Sequence, residues 1–226
     1  MLTAAIVDAD WAVRRCAGRG LRRDVIEPDA GDPDAPATFE TAVIRLPGSL
    51  AARLASVAVA IAAVQPTQYV CPPDTVHVTL CGPIHPPDDA ARAVAIADLR
   101  DLASRLAGCR LRVVRLTLGD TSVFAAVEAS GADFVGVRRE LMRRWGIAGR
   151  HGPGGVIAGR LLWANLIRFT EPPSSALVEA VGRVRRVHHT GFVPAWIELV
   201  RANHAMSAPR TTVLARVEIP SSVEAA

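Results

Sequence analysis

Residues 75–81, Thr-Val-His-Val-Thr-Leu-Cys, alternate polar and apolar side chains without a break. That period-2 pattern is the signature of a β-strand with one buried face and one face in polar surroundings. The strand follows residues 49–64, an Ala/Leu/Val segment with helical periodicity that Ser49 is placed to cap, and before it residues 38–47 form an apolar, β-branched run closed by Pro-Gly. Strand, helix and strand in this order require an α+β arrangement. The same succession recurs downstream: a helix over 88–106 with two Asp in its first turn, strands over 110–118 and 123–128 joined by a turn at Gly119 and Asp120, and a helix over 132–145 with an Arg-rich outer face. A Gly-rich loop at 150–159, a strand over 161–169, a helix over 174–187 and closing strands over 195–201 and 211–219 complete the chain. The reading is α+β, with two similar strand-helix-strand lobes whose antiparallel sheets face a shared central cleft.

Composition narrows the classes. In 226 residues, 50% are hydrophobic and 21% charged, which suits a globular chain with a sizeable core. The longest greasy stretch, residues 57–64, is too short to span a membrane, and Asp8 and Asp10 stand where a signal peptide carries its apolar core, so the chain is expected in the cytoplasm. All 26 basic residues behind the net charge of +4 are Arg, and Arg without Lys is the expected product of a GC-rich genome. The charge therefore argues only weakly for a polyanion partner, since no basic tract alternates with stacking residues. Cys16, Cys71, Cys81 and Cys109 have neither CxxC spacing nor His neighbours, so they read as reduced thiols rather than a zinc site or a disulfide framework. Residues 27–36 are rich in Asp, Pro and Gly. The chain divides into an N-terminal extension at 1–37, with a short helix over 11–23, a bilobal domain at 38–219 and a tail at 220–226.

On the alternating strand, His77 and Thr79 share one face while Val78 and Leu80 take the other. An imidazole and a hydroxyl two residues apart on a rigid strand can address one anionic group. GxGxxG, P-loop and GxSxG patterns are absent, and no carboxylate pair has a recognisable spacing.

The segment Val-Cys-Pro-Pro-Asp-Thr-Val-His-Val-Thr-Leu at 70–80 resembles the first HxTx motif of the 2H phosphoesterase superfamily, which includes the bacterial 2′-5′ RNA ligase and cyclic phosphodiesterase proteins; there, too, the motif follows a Pro-containing turn. The resemblance runs in element order from about Phe39 to Ile219. Members carry two such motifs, one per lobe, facing each other across a cleft. The second, often HxTxxRF, falls on residues 163–169, Trp-Ala-Asn-Leu-Ile-Arg-Phe. Arg168 and Phe169 match, whereas Trp163 stands in the position of the second His and Asn165 in that of the Thr. The resemblance implies a ribonuclease-like chemistry in which one His deprotonates the nucleophile and the other protonates the leaving oxygen. It assigns His77 and Thr79 as catalytic and Asn165 and Arg168 as substrate-binding; Trp163, as a stacking face, and His151, in the Gly-rich loop, join them as substrate-binding candidates, and no cofactor, metal or membrane is expected. The expected partner is a nucleotide, an RNA end or another phosphate ester, and the expected state is a monomer.

Three readings of the altered motif compete. His77 acts as the remaining acid or base, with Thr79, Asn165 and Arg168 on the phosphoryl oxygens; or the chain binds a phosphate ester without turnover, or serves other small-molecule chemistry; or His151, in the Gly-rich loop, replaces the missing His. The remaining histidines have plainer explanations. His85 sits in a Pro-rich turn, His188 and His189 follow a basic helix end, and His204 lies in a connection between the last strands. Trp163 reads as a base-stacking platform or a packing residue, and Arg168 as a phosphate ligand or half of an internal ion pair.

Overall fold

The computed structural model describes residues 32–119, 121–147, 162–186 and 191–221; the short helix expected over 11–23 lies outside them. In chain order the elements are β1 (Phe39–Arg45), α1 (Gly48–Ala62), β2 (Tyr69–Val70), β3 (His77–Ile84), α2 (Asp89–Ala103), β4 (Arg110–Leu118), β5 (Ser122–Ser130), α3 (Phe134–Arg144), β6 (Leu162–Arg168), α4 (Ser175–Val184), β7 (Trp196–Ala202) and β8 (Thr212–Glu218). They form two four-stranded sheets, ordered β3-β1-β7-β8 and β2-β6-β5-β4. Every pairing is antiparallel. The architecture is the two-lobed α+β arrangement the sequence pattern implies, and among the described residues no helix is long and apolar enough to cross a membrane.

The helix starts follow local side-chain chemistry. Asp88 accepts a hydrogen bond from the Ala91 amide at 2.8 Å, Asp133 from Gly136 at 2.9 Å and Ser174 from Leu177 at 3.2 Å, so three helices begin at capping side chains. Asp88 is thus the cap of α2, and only Asp89 lies in its first turn. α1 differs from the sequence expectation: Pro47 occupies the capping position and makes no side-chain bond, and Ser49 is inside the first turn. Pro-Gly has already turned the chain into the helix two residues earlier than a Ser49 cap would. β3 also starts later than residue 75, because Pro73–Thr75 form a 3₁₀ turn, and β2 is too short to announce itself by alternation.

The two sheets share one core. Ile44, Val78 and Leu80 from the first sheet, Leu162, Ala164 and Leu166 from the second, and Leu54, Leu99 and Phe134 from the helices belong to a single buried apolar cluster. β3, an edge strand, packs against β6 of the other sheet, which brings the two motif strands side by side. Phe134, 1% exposed at the start of α3, is among the largest fully buried side chains. Phe134→Ala is expected to lower the unfolding free energy by about 3–5 kcal/mol, the usual cost of a large cavity, read as a shift of the urea midpoint at unchanged slope.

Candidate functional site

Both motif strands carry the same irregularity at the same place. Opposite β3, Val43 pairs with Thr79 and Ala42 with Cys81, which leaves Leu80 as an extra residue. Opposite β6, Phe124 pairs with Asn165 and Val123 with Ile167, which leaves Leu166 extra. Each bulge therefore falls directly after the third motif position, so the register equates Trp163 with His77 and Asn165 with Thr79. In each strand the bulge keeps the flanking apolar residues in the core: Val78, Leu80 and Cys81 in one, Ala164, Leu166 and Ile167 in the other. The alternate positions, His77 and Thr79 on β3 and Trp163 and Asn165 on β6, take the opposite faces.

His77 is 4% exposed. Its Nδ1 donates a hydrogen bond to the Thr75 carbonyl at 2.6 Å. A carbonyl can only accept, so the proton sits on Nδ1 and the lone pair on Nε2. The 3₁₀ turn Pro73–Thr75 supplies that carbonyl, which is how the proline-containing approach to the motif fixes the imidazole. Burial pushes the His77 pKa down to about 4; Arg45 and Arg168 add to the depression, while the Thr75 bond and Glu198 oppose it. The imidazole is thus neutral at pH 7 and able to accept a proton.

Arg168 lies close enough to influence both His77 and the buried thiol of Cys71, whose pKa burial raises to about 11 against the pull of that guanidinium. Across the short β2–β6 ladder Arg168 faces Tyr69. Asn165, 8% exposed, accepts a hydrogen bond on Oδ1 from the Ser122 hydroxyl at 2.9 Å. Thr79 is half-buried, opposite Val43. Trp163 is half-buried, with the Arg138 guanidinium of α3 over its ring at 5.1 Å from the centroid. One face of the indole is therefore already occupied by a cation.

Arg168 of one lobe stands within electrostatic range of His77 of the other, Asn165 is drawn toward Ser122, and Trp163 toward α3. His151 lies outside the described residues, as do His188 and His189. His85 is exposed, with Nδ1 donating to the Thr38 carbonyl at 2.9 Å, and His204 meets the ring of Phe39 edge-on at 5.2 Å between centroids.

Two residues that sequence reasoning missed border the imidazole. Arg45 is the register partner of His77. Its Nε donates to Glu198 Oε2 at 3.0 Å and its Nη1 to the Asp74 carbonyl at 3.1 Å. Glu198, 5% exposed, also accepts from Arg216 Nε at 3.0 Å. The signal available for Arg45 was its place in the alternation Thr41, Val43, Arg45, a charged residue on the face that otherwise carries apolar or small groups. Nothing local marks Glu198, which lies 153 residues further along the chain.

The depressed His77 pKa fixes a pH dependence. In the unfolded chain an imidazole titrates near 6.5, so as pH falls from about 6.5 to about 4 the unfolded state takes up a proton that the native state refuses. Stability is expected to be full above that window, to drop by on the order of 3 kcal/mol through it, and to level below it as far as His77 is concerned. Urea midpoints measured across that range for wild type and for His77→Asn check this: the variant should lose most of the slope, and equal slopes would contradict the assignment.

No family model matches the chain, and a search of curated proteins finds no match. Solved structures do. TT0787 from Thermus thermophilus aligns with a TM-score of 0.57 at 20% identity over 81% of this chain and 99% of that one. A crystal structure described as a phosphoesterase aligns with a TM-score of 0.50 at 13% identity over 81% and 99%. E. coli LigT, solved with NADP+, aligns with a TM-score of 0.49 at 16% identity over 83% and 100%. The alignments span nearly the whole length of the first two proteins, and the chain accordingly shares their fold, the two-lobed α+β arrangement described above.

Proposed function

We propose that the chain is a phosphoesterase-like protein that binds the phosphodiester of a nucleotide or RNA end at His77 and hydrolyses it with that single imidazole. The observation that carries this reading is the tautomer of His77: a neutral ring, held by Thr75, with its lone pair on Nε2 and the Arg168 guanidinium within electrostatic range. For a nucleotide 2′,3′-cyclic phosphate, Nε2 takes a proton from water as the water oxygen bonds to phosphorus. The bond from phosphorus to one ribose oxygen breaks, and that oxygen is protonated from solvent. Arg168 offsets the charge that builds on the phosphoryl oxygens. In-line displacement puts attacking and leaving oxygens on opposite sides of phosphorus, so one imidazole cannot serve both. With Trp163 in the second motif, the leaving oxygen lacks its general acid, a deficit of about 10²- to 10⁴-fold in rate.

A second reading, binding without turnover, is favoured by the engagement of the altered motif elsewhere: Asn165 bonds Ser122 and Trp163 lies under Arg138. One experiment separates the two. Hydrolysis of 2′,3′-cyclic nucleotides is measured in EDTA for wild type, His77→Ala and the double variant Trp163→His/Asn165→Thr. The proposal expects slow turnover by wild type, none by His77→Ala, and a gain of about 10²- to 10⁴-fold on restoring the second acid/base. Turnover undiminished in His77→Ala, or turnover that EDTA abolishes and a divalent ion restores, overturns it. A rise in Tm with nucleotide but no hydrolysis by wild type assigns the binding reading.

A further inference from the structure

The face of the first sheet that carries His77 continues sideways into a groove. Thr79, Val43, Glu198 and Arg216 are successive register partners across β3, β1, β7 and β8. One row over, His77 pairs with Arg45, and extending the β1–β7 register by two residues brings Trp196 opposite Arg45. Trp196 shares its face with Glu198, two residues on, and is 45% exposed. Two cavities of about 480 and 400 Å³ share Arg45, Leu46, Glu198 and Arg216, and Trp196 lines the second. The two cavities adjoin along these four shared residues, between the register partner of His77 and an exposed indole, and His77 itself lines neither. Strand spacing puts the backbone of Trp196 about 10 Å from that of His77, a gap that one nucleotide lying between the two side chains can bridge.

Charge decides what kind of ligand fits. Arg45 and Arg216 are offset by Glu198 between them, by Asp74 in the wall of the larger cavity and by Glu218 opposite Trp196. The groove is therefore no cationic track for a long single strand, which would need phosphate contacts along its length. It offers one guanidinium beside the phosphate position, pinned by Glu198 and the Asp74 carbonyl, and one aromatic face at a nucleoside's distance.

We propose that this groove is the subsite for the nucleoside attached to the phosphate at His77, with Trp196 as the stacking face for its base and Arg45, held by Glu198, at its phosphate end. The inference rests on the reading that a phosphate sits at His77, and it limits the substrate class to phosphate esters that carry a nucleobase within one nucleotide of the reacting phosphorus. Glu198 is a positioning residue: it acts through Arg45.

Calorimetric titration of adenosine 2′,3′-cyclic phosphate and of inorganic phosphate into wild type, Trp196→Leu and Arg45→Gln tests this, with a thermal unfolding curve for each protein. Removing the half-exposed indole is expected to weaken the cyclic nucleotide roughly 5- to 150-fold, the effect of one lost base–aromatic stack, and to leave inorganic phosphate unchanged. Arg45→Gln should weaken both probes. Binding of the nucleotide should vary little with salt. Unchanged nucleotide affinity in Trp196→Leu, or a wild type that binds the nucleotide no more tightly than inorganic phosphate, overturns the subsite while leaving the phosphate site standing. A wild type that binds neither probe overturns both.

Discussion

The lateral packing of β3 against β6 is the contact on which the arrangement depends. Each sheet is antiparallel and internally paired, so neither needs the other to satisfy its hydrogen bonds. What joins them is apolar burial: residues of both sheets and all four helices described here feed one cluster. That burial places two strands with the same register irregularity next to each other. It also brings a guanidinium from one lobe within electrostatic range of an imidazole from the other.

Desolvation is the second consequence of this packing. A solvated histidine beside a carboxylate would gain a proton; His77, close to Glu198, does not, because burial and two guanidinium groups outweigh the carboxylate. Glu198 is itself committed to Arg45 and Arg216, so much of its charge is already answered. The hydrogen bond to Thr75 then decides which nitrogen keeps the proton. Three separate segments, the 3₁₀ turn before β3, the end of β1 and the end of β6, thus fix the state of one ring.

Much of this was legible in the sequence because alternation and capping are local. The strand around His77, the helices beginning at Asp88 and Ser174, and the pairing of residues 110–118 with those after the turn all follow from short windows of chain. The bulges were not legible, since a bulge is a relation between strands: Leu80 and Leu166 look like ordinary apolar residues until Val43 and Phe124 are set opposite their neighbours. For the same reason Arg45 and Glu198 escaped notice, as their meeting depends on β1 and β7 becoming neighbours. Ser49 failed as a cap because Pro47 and Gly48 start the helix ahead of it. Asn165 and Trp163 stand at the strand positions the alternation gave them, but the partners they take, Ser122 and Arg138, come from elements distant in sequence.

The repeated bulge has an implication for how such a chain can change. In both lobes the skipped leucine and its neighbours lie in the core, although the residues between them are His and Thr in one and Trp and Asn in the other. Backbone shape and chemical content are thereby uncoupled: the register is the same around His77 and Thr79 in one sheet as around Trp163 and Asn165 in the other. A fold built this way has the same backbone frame in both halves, with different side chains seated on it: an imidazole and a hydroxyl in one, an indole and an amide in the other.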